Sequence, residues 1–167
     1  MLLANGSNVE IRAIGTDDAS MLQAFVRHLS PRSRRFRFFS GIAELSVGLL
    51  ERLVKQDYRR GLALVALSEQ SGGTVIIAEA RCELNQAQGN AEFAIAVADE
   101  FQRRGLGIRL LNTLVVYAAK RGIRQLFGEI LADNHAMLGL AKRLGFQINA
   151  NDLDRRTVIA SIVPSLC

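Results

Sequence analysis

The sequence predicts an α/β (α+β) fold, one mixed sheet flanked by helices, on three observations. The middle of the chain holds short apolar runs separated by turn residues, the hydrophobic period changes from strand to helix at Gly105, and strand and helix patterns alternate from there on. With 167 residues, 49% of them apolar, the chain can fill a core without staples, so residues 1–167 are expected to form one domain.

Val9 to Ile14 alternates apolar and polar residues as a half-buried strand does, and Thr16, Asp17 and Asp18 then supply a cap and an acidic first turn. Ala19, Leu22, Val26 and Leu29 recur at helical spacing until Ser30 and Pro31 interrupt them. A second helix is expected over the arginine-rich stretch that follows, and a third from about Ser46 to Val54. Leu62 to Leu67 is a continuous apolar run, Ser71, Gly72 and Gly73 break the chain, and Thr74 to Cys82 and Ala91 to Val97 are again strand-like. These three strands should form an antiparallel meander. Leu106, Leu110, Leu111, Leu114, Val115 and Ala118 then make one helical stripe that stops at Gly122. Gln125 to Leu131 reads as a strand, Asn134 to Leu144 as a helix closed by Gly145, and Thr157 to Val163 as the last strand.

The net charge is +5, from 21 Lys and Arg against 16 Asp and Glu, which favours an anionic partner. Arg27, Arg32, Arg34, Arg35 and Arg37 alternate with Phe36, Phe38 and Phe39, a composition compatible with a nucleic-acid surface. The helical period favours a simpler arrangement, with phenylalanines in the core and arginines in solvent, so no nucleic-acid partner is expected. Cys82 and Cys167 are too few for a disulfide framework and suit a reducing compartment. The first residues, MLLANGSN, lack the features of a signal peptide, and no apolar run is long enough to span a bilayer. A cytoplasmic protein with no membrane partner is expected.

The chemistry concentrates where the strand ending near Val97 meets the helix beginning at Gly105. Exposed N–H groups at a helix start, with the helix dipole behind them, attract a diphosphate. Gly105 and Gly107 keep Cβ atoms out of the way, and Arg103, Arg104 and Arg109 add positive charge. The plain alternative is a strand-to-helix turn with two flexible glycines.

Gln102, Arg104, Gly105 and Gly107 resemble the QxxGxG signature of the GNAT superfamily of N-acetyltransferases, and Asn134 with Leu144, Gly145 and Phe146 resembles its second cofactor segment. LSPRSRRFRFF from Leu29, DYRRGLALVAL from Asp57 and NAEFAIAV from Asn90 are similar to the acetyltransferase domain of bacterial Pat-type protein lysine acetyltransferases. The resemblance covers nearly the whole chain. It implies the GNAT fold: a mixed central sheet of six to seven strands whose parallel pair splays apart to admit acetyl-CoA. It also implies a free-standing version of a domain that relatives carry fused to others.

By position, the resemblance implies that Ile95, Ala96 and Val97 line the pantetheine arm. Gln102, Arg103, Arg104, Gly105, Leu106, Gly107, Ile108 and Arg109 would form the pyrophosphate cradle. Asn134 and Met137 would meet the arm from the second helix.

Acetyl transfer to an amine needs a neutral nucleophile and a polarised thioester carbonyl. Glu92, flanked by Ala91, Phe93 and Ala94, is the carboxylate best placed to act as base, and it matches the glutamate that serves so in Pat-type relatives. A solvent-facing strand glutamate is its bland alternative, and Glu129 is the second candidate base. Glu79 and Glu83 read as solvated strand residues. Where many superfamily members carry a tyrosine to protonate the departing sulfur, this chain has Ala141, which leaves that role to solvent or to the proton taken from the amine.

His28 and His135 lie far apart without ligand spacing, so no metal is expected. No GKS or GKT follows the glycines, which argues against a nucleoside triphosphatase. Three functions stay open: a protein lysine acetyltransferase, a small-amine acetyltransferase, and an acyl-CoA-binding sensor without turnover. The sequence names neither the acceptor nor the oligomeric state, and a homodimer stays an option.

Overall fold

The computed structural model describes residues 8–165, so Cys167 and residues 1–7 lie outside the described residues. The elements follow as β1 (Val9–Ala13), α1 (Ala19–His28), α2 (Pro31–Phe38), α3 (Val47–Val54), β2 (Gly61–Gln70), β3 (Gly73–Asn85) and β4 (Asn90–Val97). Then come α4 (Leu106–Lys120), β5 (Gln125–Leu131), α5 (His135–Arg143), β6 (Gln147–Ala150) and β7 (Thr157–Ile162). All seven strands join one sheet in the order β1-β2-β3-β4-β5-β7-β6, in which only β4 and β5 run parallel. The expected meander is β2, β3 and β4.

The sheet is covered on both faces, which is why β2 reads as an unbroken apolar run. Leu64 and Ala66 point into one core with Leu106, Leu110, Leu111 and Leu114 of α4, whereas Ala63, Val65 and Leu67 meet Leu22, Phe25, Val26 and Leu53 of α1 and α3. No helix among the described residues is long and apolar enough to cross a membrane.

Two expectations are revised. β6 carries no hydrophobic alternation, because its side chains are mostly exposed and it is held by backbone pairing to β7 at the sheet edge; sequence periodicity passed over it. Helix α2 buries none of its residues, and Phe36 and Phe38 sit half-buried rather than in the core. Phe39, 45% exposed, caps the helix in a left-handed conformation (φ 56°).

Candidate active site

The parallel pair holds for three rungs, Asn90–Glu92 of β4 against Gln125–Phe127 of β5, and then parts. Immediately beyond the last rung the Phe93 ring lies against the Gly128 backbone, where a Cβ would come within 2.6 Å of it. Phe146 fixes that ring edge-on, with centroids 5.3 Å apart. Gly128→Val must therefore push β4 and β5 further apart, and we expect a loss of about 1–3 kcal/mol in urea unfolding.

Backbone alternation decides what faces the gap. The Ala98 N–H donates to the Ile77 carbonyl of β3 at 2.8 Å, so Ala96 also turns its N–H and C=O to β3, and Ile95 and Val97 turn theirs to the β5 side. The gap is thus lined by the unpaired amides of Ile95 and Val97. Ala96 packs its methyl into the α1–α3 core and offers no group to the gap.

At the end of β4 the chain turns through Asp99–Phe101, and Arg103 and Gly105 adopt left-handed backbone conformations with φ of 59° and 87°. Gly105 is the N-cap of α4, a position where a side chain is strained whatever the space around it. Every backbone N–H from Arg103 to Ile108 lacks a hydrogen-bond partner among the described residues. They form a concave row of donors at a helix N-terminus, the arrangement that binds phosphate oxygens. Arg103 and Arg109 are exposed beside them, and Arg104 stacks on the Phe101 ring at 5.4 Å. Leu106, fully buried, anchors the row to the core, and the Gln102 amide donates to the Val97 carbonyl at 3.0 Å, tying the loop to β4.

Gly107 has a second reason beside the one its spacing suggests. A Cβ there would sit 2.9 Å from Leu140 Cδ1 and 3.9 Å from Val97 Cγ2, so the missing side chain also admits α5 against α4. Asn134 is the N-cap of α5: its Oδ1 accepts from the Met137 N–H at 3.2 Å. Asn134 and Met137 line one end of a cleft of about 390 Å³ that lies between α2, α3 and the sheet.

Glu92 stands in that cleft at the last rung of the splayed pair. Its side chain is exposed, yet the cleft walls take enough water from the carboxylate to push its pKa above the usual range; Glu129 and Glu83 add to the rise, and Arg37 opposes it. Glu129 lines the same cleft but is engaged, accepting from Asn151 at 3.0 Å and Thr157 at 2.7 Å. Glu83 is solvated, as expected.

Glu79 is not. It is 3% exposed, held between Arg37, 3.1 Å away, and Arg81. Burial alone would raise its carboxyl, but the two guanidiniums outweigh it and hold it at about 2. The alternation Glu79, Arg81, Glu83 puts all three on the cleft face of β3, a signal in the sequence that a two-residue period exposes once the strand is identified.

The arginine cluster is mostly spoken for. Arg34 donates to the Arg27 and Leu29 carbonyls at 3.0 and 2.9 Å, Arg35 pairs with Asp133 at 2.9 Å, and Arg37 pairs with Glu79. At the N-terminus of α2, Ser30 Oγ and Ser33 Oγ each donate to Asp99 at 2.8 Å, and the Gln102 amide reaches Ser33 Oγ at 3.3 Å. Helix α2 is therefore fastened at one end to the cradle loop and, through Asp133, to the turn before Asn134. Nothing in the sequence pattern pointed to these ties, which join segments far apart in the chain.

Among the described residues no Cys, Ser, Lys, His or Tyr lines the cleft. Cys82 is fully buried, and burial pushes its thiol up to about 11. His135 is exposed on α5, and Ala141 is fully buried. Among the described residues no group of three His, Cys, Asp or Glu could hold a metal ion.

A splayed parallel pair lies beside a row of open amides at a helix start, and comparison with known proteins shows which family this architecture belongs to. Residues 32–146 match the acetyltransferase (GNAT) family, and the chain belongs to that family. A Pseudomonas aeruginosa acetyltransferase is 34% identical over 157 residues, covering 94% of this chain and 84% of that protein. The acetyltransferase Pat of Mycolicibacterium smegmatis is 34% identical over 111 residues; the match takes in 66% of this chain but only 33% of the relative. The crystal structure of the GNAT domain of S. lividans PAT superposes with a TM-score of 0.85 at 27% identity, covering 98% of this chain and 94% of that one. The activity of the family is acetyl-CoA-dependent N-acetylation, and this chain is an enzyme of that class.

Gly105→Val should weaken CoA binding by roughly tenfold or more, because the left-handed turn that aligns the amides is lost. Arg103→Ala should weaken it moderately and flatten its salt dependence. Calorimetry at two ionic strengths checks both.

Proposed function

We propose that the chain transfers the acetyl group directly to the side-chain amine of a protein lysine, with Glu92 as general base. The observation that carries this reading is Glu92 itself, a carboxylate of raised pKa at the point where the parallel strands part. A lysine amine with a pKa of about 10.4 is mostly charged near neutrality, and deprotonating it costs on the order of 4–5 kcal/mol. Glu92 accepts that proton at its carboxylate.

Acetyl-CoA, bound with its pyrophosphate on the amides of Arg103 to Ile108, supplies the thioester carbonyl. The N–H of Val97, or of Ile95 beside it, donates to the carbonyl oxygen as charge develops. Asn134, its Oδ1 occupied by the helix cap, has Nδ2 left to hold the pantetheine arm, and Met137 packs beside it. With no nucleophilic side chain among the described residues lining the cleft, direct attack by the amine is the reading the residues support, and the thiolate takes its proton from solvent or from the one Glu92 has received.

The lysine acceptor is supported by the similarity to Pat-type domains and by a second depression of about 530 Å³ that shares Glu83 and Glu92 with the cleft. A lysine reaching Glu92 can leave its peptide in that outer groove. A small-amine acceptor is favoured by the cleft's own volume, which is that of a small-molecule site. Acetyl transfer measured on a lysine peptide and on a panel of polyamines separates them: turnover of the polyamines alone overturns the protein reading.

A further inference from the structure

The cleft is lined by three carboxylates, Glu83, Glu92 and Glu129, and by three guanidiniums, Arg37 of α2, Arg52 of α3 and Arg81 of β3. The guanidiniums are not all engaged. Glu79 is the one carboxylate within ion-pair distance of Arg37 and Arg81 among the described residues, so the two share a single carboxylate. Arg37 spends Nε and Nη2 on Glu79, and Arg81 spends Nε on Glu79 and Nη2 on the Leu53 carbonyl. Arg81 Nη1 is buried without a partner, and Arg52 is exposed at the mouth with no ion pair among the described residues. The Arg37 and Arg81 side chains are only 12% and 5% exposed, so water reaches the open Arg81 Nη1 poorly. An oxygen acceptor in the cleft would satisfy it.

Register sets the spacing. Glu83 lies opposite Glu92 and Arg81 opposite Ala94, so Arg81 sits one full pleat, about 7 Å, inward of the base. We propose that Arg37, Arg52 and Arg81 form a carboxylate subsite in the acceptor cleft, so that the acceptor carries a carboxylate a few bonds from the amine received by Glu92. This rests on Glu92 marking the acceptor amine. A single carboxylate offers the two oxygens that the open Arg81 Nη1 and the unpaired Arg52 can bind, and the glutamates in the same cleft disfavour any greater negative charge. The carboxylate is either that of a free amino acid or an acidic side chain next to the lysine of a peptide.

Two measurements decide. First, propionate, which has an anion and no amine, is titrated into the CoA-bound protein and followed by NMR. The parent should bind it at millimolar concentration, Arg52→Ala and Arg37→Lys should weaken it by roughly threefold or more, and Glu92→Gln should bind it at least as well. Absence of binding, or equal binding by the parent and both arginine variants, overturns the subsite.

Second, kcat/KM is compared within matched pairs: ornithine against putrescine, and a Lys-Glu peptide against a Lys-Gln peptide. A preference of roughly tenfold for the carboxylate member is expected in the pair that carries the true source. Equal values in both pairs contradict the proposal. If neither pair is turned over, the acceptor reading under the proposed function has failed for these amines, and the propionate titration still decides the subsite.

Discussion

With Glu92 replaced by Gln, kcat/KM at neutral pH should fall by roughly two orders of magnitude or more, while acetyl-CoA affinity stays as it was. The substitution keeps the shape of the side chain and its place at the last rung of the β4–β5 pair, and removes only the proton acceptor. Affinity is untouched because the cofactor is assigned to the amides of Arg103 to Ile108 and to the gap beyond Glu92. Glu129→Gln is the control. Glu129 shares the cleft, but its carboxylate is held by Asn151 and Thr157, so its loss should alter local structure more than the chemical step. Stopped-flow or steady-state rates with a defined lysine acceptor, together with calorimetry of CoA binding, check both variants.

The second large effect concerns Glu79. Glu79→Ala leaves two guanidiniums facing each other in the buried wall between α2 and β3, and unfolding free energy should drop by about 3–5 kcal/mol in urea titration. The wild-type carboxyl is held at about 2, below an unfolded value of about 4.3, so the stability it supplies is complete above the unfolded pKa. That stability is lost as pH falls from about 4.3 towards about 2. The acid-unfolding curve of the parent should bend in that window, and the curve of Glu79→Ala should be flatter there. Because Arg37 sits on α2, the same variant should also loosen that helix over the cleft.

Much of this was legible in the sequence, for physical reasons that particular residues show. The Leu106 to Ala118 stripe repeats at the helical period because one face of α4 is wholly buried, and the β2 run is continuous because the sheet is covered on both sides. The turn into α4 was legible because the left-handed backbone at Gly105 calls for glycine in a short, local stretch. What escaped was non-local. Glu79 looks like any alternating strand glutamate until α2 brings Arg37 across 42 residues of chain to meet it. Gly107 looks like a phosphate glycine, and only the approach of Leu140 gives its other reason. Strand β6 had no hydrophobic period to read, since its stability comes from an edge pairing with β7.

The central claim is that Glu92 is the base, and the pH dependence of kcat/KM for the parent and Glu92→Gln with one lysine acceptor tests it most directly. Glu92 must be ionised to accept a proton, so the parent's profile should lose activity on the acid side with an apparent pKa above the ordinary carboxylate range, as burial and the neighbouring Glu129 and Glu83 dictate. That limb should be missing from Glu92→Gln. The variant should instead gain steadily with pH, as more of the amine becomes neutral unaided, and approach the parent at high pH. Parallel profiles of equal height across the range would contradict the account and remove Glu92 from the mechanism.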